Sequence, residues 1–351
     1  MLKTQEVTKP LFEAVIMPAC MSASKNYETM EDFVSQTGMV AYEPRLGVVV
    51  MEVFVCMITQ FLEMLTRPEN DPVGLIAWLT TMLLAIPATI VMILEAGRQG
   101  NRGLILWPTL MGMLAQLLGI SVVFPALVVP AYCLGRPPKT KLLTNKGPIE
   151  QQQGSVAVTR ARMSLLMALP GVVLSALVFL ILDKQSYAWT FCVGLLGGPL
   201  LPCMCLILWV VPPPNAIMPR VDIVESGKTA AMSFGFGGML AVLGWIYLIF
   251  VAVKAYVFDY QGLWQDLWAG PDASPAVRFM TIDAGILYVG LILHIGSRSL
   301  SSMVEALLLT PFFGPAAACC MALAANEKEN IPLTHKQPTS TKTTTPDKKE
   351  Q

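Results

Sequence analysis

The sequence has few charged residues, and this scarcity excludes several classes of protein. Only 14% of its 351 residues are Asp, Glu, Lys or Arg, whereas roughly 25% is usual in soluble domains. The 24 basic and 24 acidic residues cancel, so the chain lacks the basic excess that nucleic-acid binding requires. We therefore expect no nucleic-acid partner and, with 54% hydrophobic residues, a protein that lies in membrane lipid.

Histidine is scarce as well, and the cysteines are not spaced like metal ligands. The chain has two histidines and eight cysteines, and most of the cysteines fall inside apolar runs. This pattern resembles neither a disulfide framework nor a zinc site. We interpret the cysteines as small apolar packing residues and expect no metal and no other cofactor.

Long hydrophobic runs are what the sequence has instead. A helix that crosses a membrane needs about 20 apolar residues. Runs without any charge are 72–94, 103–135, 163–182, 185–219 and 229–253, and runs with isolated charges are 47–66, 277–297 and 299–325. We predict an all-α, polytopic integral membrane protein with about eight transmembrane helices in one bundle over 47–325. A polar segment, 1–46, precedes the bundle and a disordered tail, 326–351, follows it.

Two features give conflicting indications about orientation. The basic loop 135–162 would be cytosolic by the positive-inside rule, and eight crossings place it opposite the C-terminal tail. The tail ends in Lys348, Lys349, Glu350 and Gln351, which match a dilysine retrieval signal read from the cytosol. We expect an endoplasmic reticulum location, and the orientation stays open.

Ionisable residues inside the predicted spans are the candidate functional groups, because an unpaired charge there is costly. Asp283 has no charged neighbour one helical turn away, and a low dielectric favours the neutral form of a carboxyl group. It could therefore act as a general acid; the structural alternative is a buried Asp bonded to another helix. With eight crossings, Glu52 and Glu95 would share its side of the membrane, and His294 would lie on the other.

The densest polar patch joins two predicted spans and contains Glu95, Arg98, Asn101 and Arg102. One interpretation is a polar floor at the mouth of an intramembrane pocket. The other is a tight interfacial turn in which Glu95 pairs with Arg98 and the arginines contact lipid phosphates. Three glycines within 97–103 are typical of a tight turn, and both interpretations stay open.

Three short motifs resemble a known family. They are Glu95-Ala-Gly-Arg-Gln-Gly-Asn101-Arg102 followed by Pro108 and Gln116, then Arg278-Phe-Met-Thr-Ile-Asp283, and Phe313-Gly-Pro-Ala-Ala leading to Asn326-Glu-Lys-Glu329. On these motifs the chain, from about 72 to 329, resembles the fungal membrane-bound terpene cyclases of the ascofuranone and ascochlorin type, which include meroterpenoid and indole-diterpene cluster proteins.

The resemblance implies an enzyme of secondary metabolism that protonates an epoxide or alkene of a prenyl chain and closes rings without a metal. The expected catalytic residues are Asp283, Glu95 and Glu52. The expected substrate-binding residues are Asn101, Arg102, Arg98 and Gln116.

The expected partners are a hydrophobic prenylated small molecule, membrane lipid and other membrane enzymes of the same pathway. Two other functions stay open: a transporter or efflux protein for a hydrophobic metabolite, and a non-catalytic scaffold. No internal repeat is visible in the sequence, which counts against the transporter.

Overall fold

A computed structural model describes residues 20, 56–57, 61–62, 64–65, 72–98, 101–135, 156–164, 220–270 and 274–329. Within these residues nearly all of the chain is helical, and a single β-bridge joins Arg98 to Val156. The helices are α1 Val73–Ala96, α2 Pro108–Leu118, α3 Ile120–Gly135, α4 at 158–164, α5 Arg220–Tyr256, α6 Tyr260–Trp264, α7 Pro275–Arg298, α8 Leu300–Phe313 and α9 Pro315–Glu329. The all-helical prediction is confirmed for this part of the chain.

Three of these helices are long and apolar enough to cross a membrane. They are α1, the part of α5 from Val224 to Tyr256, and α7. At about 1.5 Å per residue, the 24 residues of α1 and of α7 each extend about 36 Å, which exceeds the ~30 Å hydrocarbon layer. The predictions for 47–66, 163–182 and 185–219 fall largely outside the described residues.

Side-chain contacts fix the directions of the three long helices. The Thr81 hydroxyl of α1 donates to the Met280 carbonyl of α7, at 3.3 Å, and Glu95 lies 3.8 Å from Arg298 further along the same pair. These contacts make α1 and α7 parallel. In α5, Gly237 contacts Ile86 whereas Gly244 contacts Leu83, so α5 runs antiparallel to α1. We call the end with Glu95 and Arg298 the base end, and the opposite one the far end.

The run 103–135 was predicted to cross the membrane once, and this prediction is wrong: the run forms a helical hairpin. Gly119 breaks it with φ 87° and ψ 139°, a left-handed conformation that glycine adopts without a steric penalty. The two limbs, α2 and α3, return to the same place, since the Arg102 N–H donates to the Gly135 carbonyl at 2.9 Å. We call this element hairpin 1. Both of its ends lie at the base end.

The run 299–325 is also a hairpin, and here too the single-span prediction is wrong. Gly314 separates α8 from α9 with φ 83° and ψ 159°. Ser302 in α8 donates to Asn326 in α9 at 3.0 Å, so the limbs are antiparallel with Gly314 at the turn. We call this element hairpin 2. Each limb has only 14 or 15 residues, or about 22 Å, which is too short to cross.

The two hairpins reveal an internal repeat that was not apparent in the sequence. A 24-residue helix precedes each hairpin, and each hairpin turns at a glycine with φ above 80°. The ends of α1 and α7 read Ile-Leu-Glu95-Ala-Gly and Ile-Leu-His294-Ile-Gly. The tip of hairpin 1 contacts the long helix of the other unit, because Ser121 bonds Asp283 of α7. The tip of hairpin 2 faces α1 across a pocket that Gly314 and Leu83 both line.

The cysteines differ in part from their predicted role. Cys319 and Cys320 are buried free thiols, as expected for packing residues, and Cys133 is exposed. Cys20 and Cys56, by contrast, form a disulfide across 36 residues. The interpretation of Cys56 as a packing residue is therefore wrong. Nothing in the sequence indicates that Cys20, which lies outside the apolar runs, is adjacent to it.

Candidate functional site

Four charged side chains form a buried cluster at the base end, where α1, α7 and α9 finish. Arg98 Nε lies 2.8 Å from Glu95 Oε1, and its guanidinium also contacts Glu327. Arg298 Nη2 lies 2.7 Å from Glu327 Oε1, and its Nη1 lies 3.8 Å from Glu95 Oε1. Every one of these side chains is at most 9% exposed. Each carboxylate therefore faces two guanidinium groups, and the cluster is neutral as a whole.

The charges in this cluster stabilise one another in their ionised forms. Burial by itself would raise the pKa of Glu327, but the guanidinium groups of Arg98 and Arg298 outweigh burial and hold that pKa at about 2. Burial would lower the pKa of Arg98, yet Glu327 and Glu95 raise it above its usual range. A carboxylate held between two guanidinium groups is not a proton donor, so Glu95, although one of the expected catalytic residues, does not fit the role of the acid.

The patch that contains Glu95 forms a turn, and its polar groups serve that turn. α1 ends at Ala96, and the Asn101 side chain donates to the Glu95 carbonyl at 2.8 Å. Arg102 is exposed at the base end. The pairing of Glu95 with Arg98, which the second sequence interpretation predicted, is confirmed. Arg98 is buried against Glu327, so its expected contact with lipid phosphates is wrong, and that of the exposed Arg102 stays a prediction. The side chain of Gln116 and the whole of Glu52 lie outside the described residues.

Asp283 is separate from this cluster. It lies 15 residues before Arg298 in α7, which is about 22 Å along the helix axis. Because hairpin 1 does not cross, the predicted sidedness is wrong: Glu95 and His294 share the base end, and Asp283 lies toward the far end. The structure therefore does not bring Glu95, Asn101 or Arg102 together with Asp283.

The Asp283 carboxyl is enclosed by the tip of hairpin 1. Its Oδ1 accepts a hydrogen bond of 2.7 Å from the Ser121 hydroxyl, and a Cβ placed on Gly119 would lie 3.9 Å from its Oδ2. Asp283 is 8% exposed and Ser121 is fully buried. No ion pair to Asp283 occurs within the described residues. Burial without a cation favours the neutral form of this carboxyl group, whereas the hydrogen bond donated by Ser121 favours its ionised form. The two effects oppose each other, as in a group that can both hold and release a proton.

His294 lies between Asp283 and the base end, on the face of α7 that meets hairpin 1. Its ring centroid is 4.6 Å from that of Tyr132 and 6.3 Å from that of Phe124. It is fully buried, and neither ring nitrogen has a hydrogen-bond partner among the described residues. Its ring packs against these two aromatic side chains, and the charge cluster lies close enough to act on it electrostatically.

The tip of hairpin 2 borders a small apolar pocket. The pocket holds about 180 Å³, including its open mouth, and is lined by Thr80, Leu83, Ala241, Trp245 and 314–316. A Cβ on Gly314 would lie 2.6 Å from the Trp245 ring, so the indole lies directly on the turn. Most of that space is open to the surface, and the enclosed part admits little more than one water molecule. The described residues therefore do not form a ligand-sized cavity here.

Sequence reasoning missed Ser121, Arg298 and Glu327 as parts of these sites. Ser121 carries no charge, and its proximity to Asp283 depends on the hairpin. The sequence predicts a connecting segment at Arg298 and a disordered tail from 326, because both positions follow apolar runs. The predicted start of the tail is wrong, since α9 continues to Glu329 with Glu327 buried in it. One signal was available: Glu327 belongs to the third motif and Glu95 to the first, and the structure joins these two motifs through Arg98.

No family model, curated protein or solved structure matches the chain. The resemblance to the membrane-bound terpene cyclases therefore rests on the three short motifs alone.

Proposed function

We propose that the protein is a membrane-bound terpene cyclase in which Asp283 is the proton donor. The observation that carries this proposal is the environment of Asp283: a buried carboxyl, bonded to a serine hydroxyl, without a cation among the described residues. The motif resemblance supplies the reaction class. The substrate would be a prenyl chain on a meroterpenoid or indole-diterpene-like scaffold, delivered from the lipid.

The proposed reaction begins with transfer of the Asp283 proton to an epoxide oxygen or to an alkene carbon of the prenyl chain. As the epoxide C–O bond breaks, or the alkene is protonated, a neighbouring double bond attacks the cationic carbon and a ring C–C bond forms. The final cation loses a proton to a base, and for this role we propose Glu52, the third expected catalytic residue. Return of a proton to the Asp283 carboxylate completes the cycle without net oxidation or reduction.

The charge cluster has a supporting role in this proposal. Arg98 and Asn101 are engaged with Glu95 and Glu327, about 22 Å from Asp283. We therefore assign them to holding the ends of α1, α7 and α9 together instead of binding substrate.

The proposed number of membrane crossings is six. Three are α1, α5 and α7, and the other three are 47–66, 163–182 and 185–219 if each crosses once. An endoplasmic reticulum location remains part of the proposal.

The test is activity in microsomes with epoxidised prenyl-aromatic substrates. Asp283→Asn should lower turnover by about 10²-fold or more, which is the contribution of a general acid. Glu305→Gln is the matched control, because Glu305 is an exposed carboxyl on α8, and it should leave turnover unchanged. If Asp283→Asn retained full activity, the assignment of the proton donor would be wrong.

A transporter for a hydrophobic metabolite is the second candidate, and the paired hairpins favour it. Many transporters contain internal repeats and discontinuous helices whose ends meet inside the membrane, and both features occur in α1–α3 and α7–α9. Purified protein in detergent distinguishes the two candidates. A cyclase converts substrate in that single compartment, whereas a transporter moves unmodified substrate only in sealed vesicles.

A further inference from the structure

The connection between α5 and α7 begins with a strained turn at the far end. Val257 has φ 47° and Phe258 has φ 67°. Such positive values are uncommon for any residue other than glycine, and for a β-branched valine they are outliers. The chain then continues as α6 and as a π-helical stretch, Gln265–Ala269. Two consecutive residues in this conformation require that the surrounding contacts hold the segment in place.

Polar contacts within the segment hold it in this shape. The Tyr256 hydroxyl donates to Asp266 Oδ2 at 2.7 Å, and the Gly262 N–H donates to Asp259 Oδ1 at 2.9 Å. At its end, Arg278 of α7 donates to the Gly270 carbonyl. The inner face packs through Leu263 and Leu267 against the core. The segment 257–270 is thus a fixed platform, with one face directed inward.

The outer face of this platform is aromatic. Exposure is 63% for Phe258, 71% for Tyr260, 56% for Trp264 and 41% for Trp268. The last three follow at intervals of four residues, which places them on one face of a helix. The Trp264 and Trp268 rings stack with centroids 6.4 Å apart. A row of exposed aromatic side chains on a fixed backbone indicates a surface that is covered by another medium or molecule.

We propose that the segment 257–270 lies in the plane of the bilayer as an interfacial anchor, at the boundary between head groups and acyl chains. The platform connects two helices that are long enough to cross the membrane, so it lies where the far end meets that boundary. The exposed apolar face of α5, including Ile246 and Phe250, leads directly to it along the chain. Tyrosine and tryptophan suit this layer because each combines an apolar ring with a polar group.

The charges of the segment identify the kind of lipid surface. Its only charged residues are Asp259 and Asp266, and it contains no lysine or arginine. Attachment therefore does not depend on anionic lipid, unlike that of basic amphipathic helices. A zwitterionic phosphatidylcholine surface is sufficient, and salt should not release the segment.

The test measures tryptophan fluorescence of the full-length protein in phosphatidylcholine nanodiscs. The signal of Trp264 and Trp268 is the difference between the wild type and the conservative variant Trp264→Phe/Trp268→Phe. We expect lipids with a nitroxide near the head group to quench this difference signal most, lipids with a deep nitroxide to quench it less, and aqueous iodide to quench it least. The same order should hold in 1 M salt (about a 3 Å screening length).

The matched control is the signal of Trp245, obtained as the difference between the wild type and Trp245→Phe. Iodide should not quench this signal, because the Trp245 indole nitrogen is buried within the helices. Quenching of the Trp264 and Trp268 signal chiefly by iodide would place the segment in water. Quenching by none of the agents would mean that protein covers it. Either result would overturn the interfacial anchor, and neither would affect the role of Asp283.

Discussion

At the residue scale, the contact between Ser121 and Asp283 gives a sharp prediction for the proposed reaction. Ser121→Ala removes the 2.7 Å hydrogen bond to the carboxyl, so the acid loses its orientation but not its ability to donate a proton. We expect kcat to fall about tenfold, which corresponds to ~1.4 kcal/mol, with KM unchanged. Steady-state kinetics with the epoxidised substrate provides the measurement.

Ser121→Thr is the matched control because it retains the hydroxyl, and it should restore most of the activity. Equal losses for Ser121→Ala and Ser121→Thr would point to packing at the hairpin tip instead of to orientation of the acid.

A second residue-scale prediction concerns the charge cluster. Glu327→Gln leaves two buried guanidinium groups facing a single carboxylate, and breaking a buried pair typically costs about 3–5 kcal/mol. Thermal unfolding in detergent should show a large loss of stability. The control is Glu329→Gln, which alters an exposed carboxylate two residues later in α9 and should change the unfolding temperature very little.

The pH dependence of this loss follows from the pKa of Glu327. Because that pKa falls from its ordinary 4.5 to about 2 in the folded protein, the stabilisation is complete above about pH 4.5 and disappears as the pH falls toward 2. The difference between wild type and Glu327→Gln should therefore be constant from pH 5 to pH 8. A difference that shrinks between pH 8 and pH 6 would contradict the ion-pair assignment.

The residue types of both sites could be predicted from the sequence, but their grouping could not. A charge inside an apolar run identified Asp283, and the dense polar patch after the run 72–94 identified Glu95 and its pairing with Arg98. Whether Glu95 lies near Asp283 or 22 Å away depends on the number of times the chain crosses between them. That number depends on hairpin 1, so the grouping required tertiary structure.

At the element scale, the two hairpins show why a prediction based on hydropathy assigned one crossing each to 103–135 and 299–325. Hydropathy measures only the polarity of the medium around a segment, and a hairpin inside the membrane region is as apolar as a crossing helix. Length and glycine position were the usable signals. The run 103–135 is longer than a crossing needs and has Gly119 at its midpoint, and Gly314-Pro315 divides the other run into two halves.

The two turn glycines should differ in their tolerance of alanine. Gly119→Ala introduces backbone strain of about 1–3 kcal/mol, because φ 87° with ψ 139° is a conformation used almost only by glycine, but the new Cβ meets no atom closer than 3.5 Å. Gly314→Ala adds the same strain and also forces a Cβ to 2.6 Å from the Trp245 ring. Thermal unfolding should show the larger loss for Gly314→Ala, and the double variant Gly314→Ala/Trp245→Leu should recover part of it. Equal losses would mean that Trp245 does not press on the turn.

The hairpins also differ in how firmly they are attached. The charge cluster and the bond between Ser302 and Asn326 hold the base of hairpin 2. The base of hairpin 1 is joined by the backbone bond from Arg102 to Gly135, and its limb α3 contains the π-helical stretch Phe124–Val128. If substrate enters from the lipid to reach Asp283, hairpin 1 is the element expected to move.

Disulfide locks test this difference. A Cβ on Gly290 would lie 3.0 Å from Pro125 Cβ, and one on Gly238 would lie 3.2 Å from Cys320 Cβ. Both distances are slightly shorter than the roughly 3.5–4.5 Å between the two Cβ atoms of a disulfide. Pro125→Cys/Gly290→Cys therefore fixes hairpin 1 to α7, whereas Gly238→Cys fixes hairpin 2 to α5 through native Cys320. The first lock should abolish turnover reversibly under reduction, and the second should not. Full activity of the oxidised first variant would exclude movement of hairpin 1.

At the scale of the whole molecule, the hairpins resolve the conflict about orientation. With hairpin 1 returning to the base end, the cationic residues of the described part divide unequally between the two ends. Those at the far end are Lys254 and Arg278, and those at the base end are Arg98, Arg102, Arg160, Arg162, Arg220, Lys228, Arg298 and Lys328. α9 also finishes at the base end, so the C-terminal tail and the basic side agree.

The positive-inside rule then places the base end in the cytosol, and the far end, with the aromatic platform, on the opposite side. An Asn-Gly-Thr acceptor in a flexible spacer, inserted after Gly270, should be glycosylated in microsomes because acceptors are modified only outside the cytosol. The same insertion after Glu329 should remain unmodified, and a protease added outside should remove the tail. Glycosylation after Glu329 alone would reverse the orientation, and glycosylation at both positions would show that α7 does not cross the membrane.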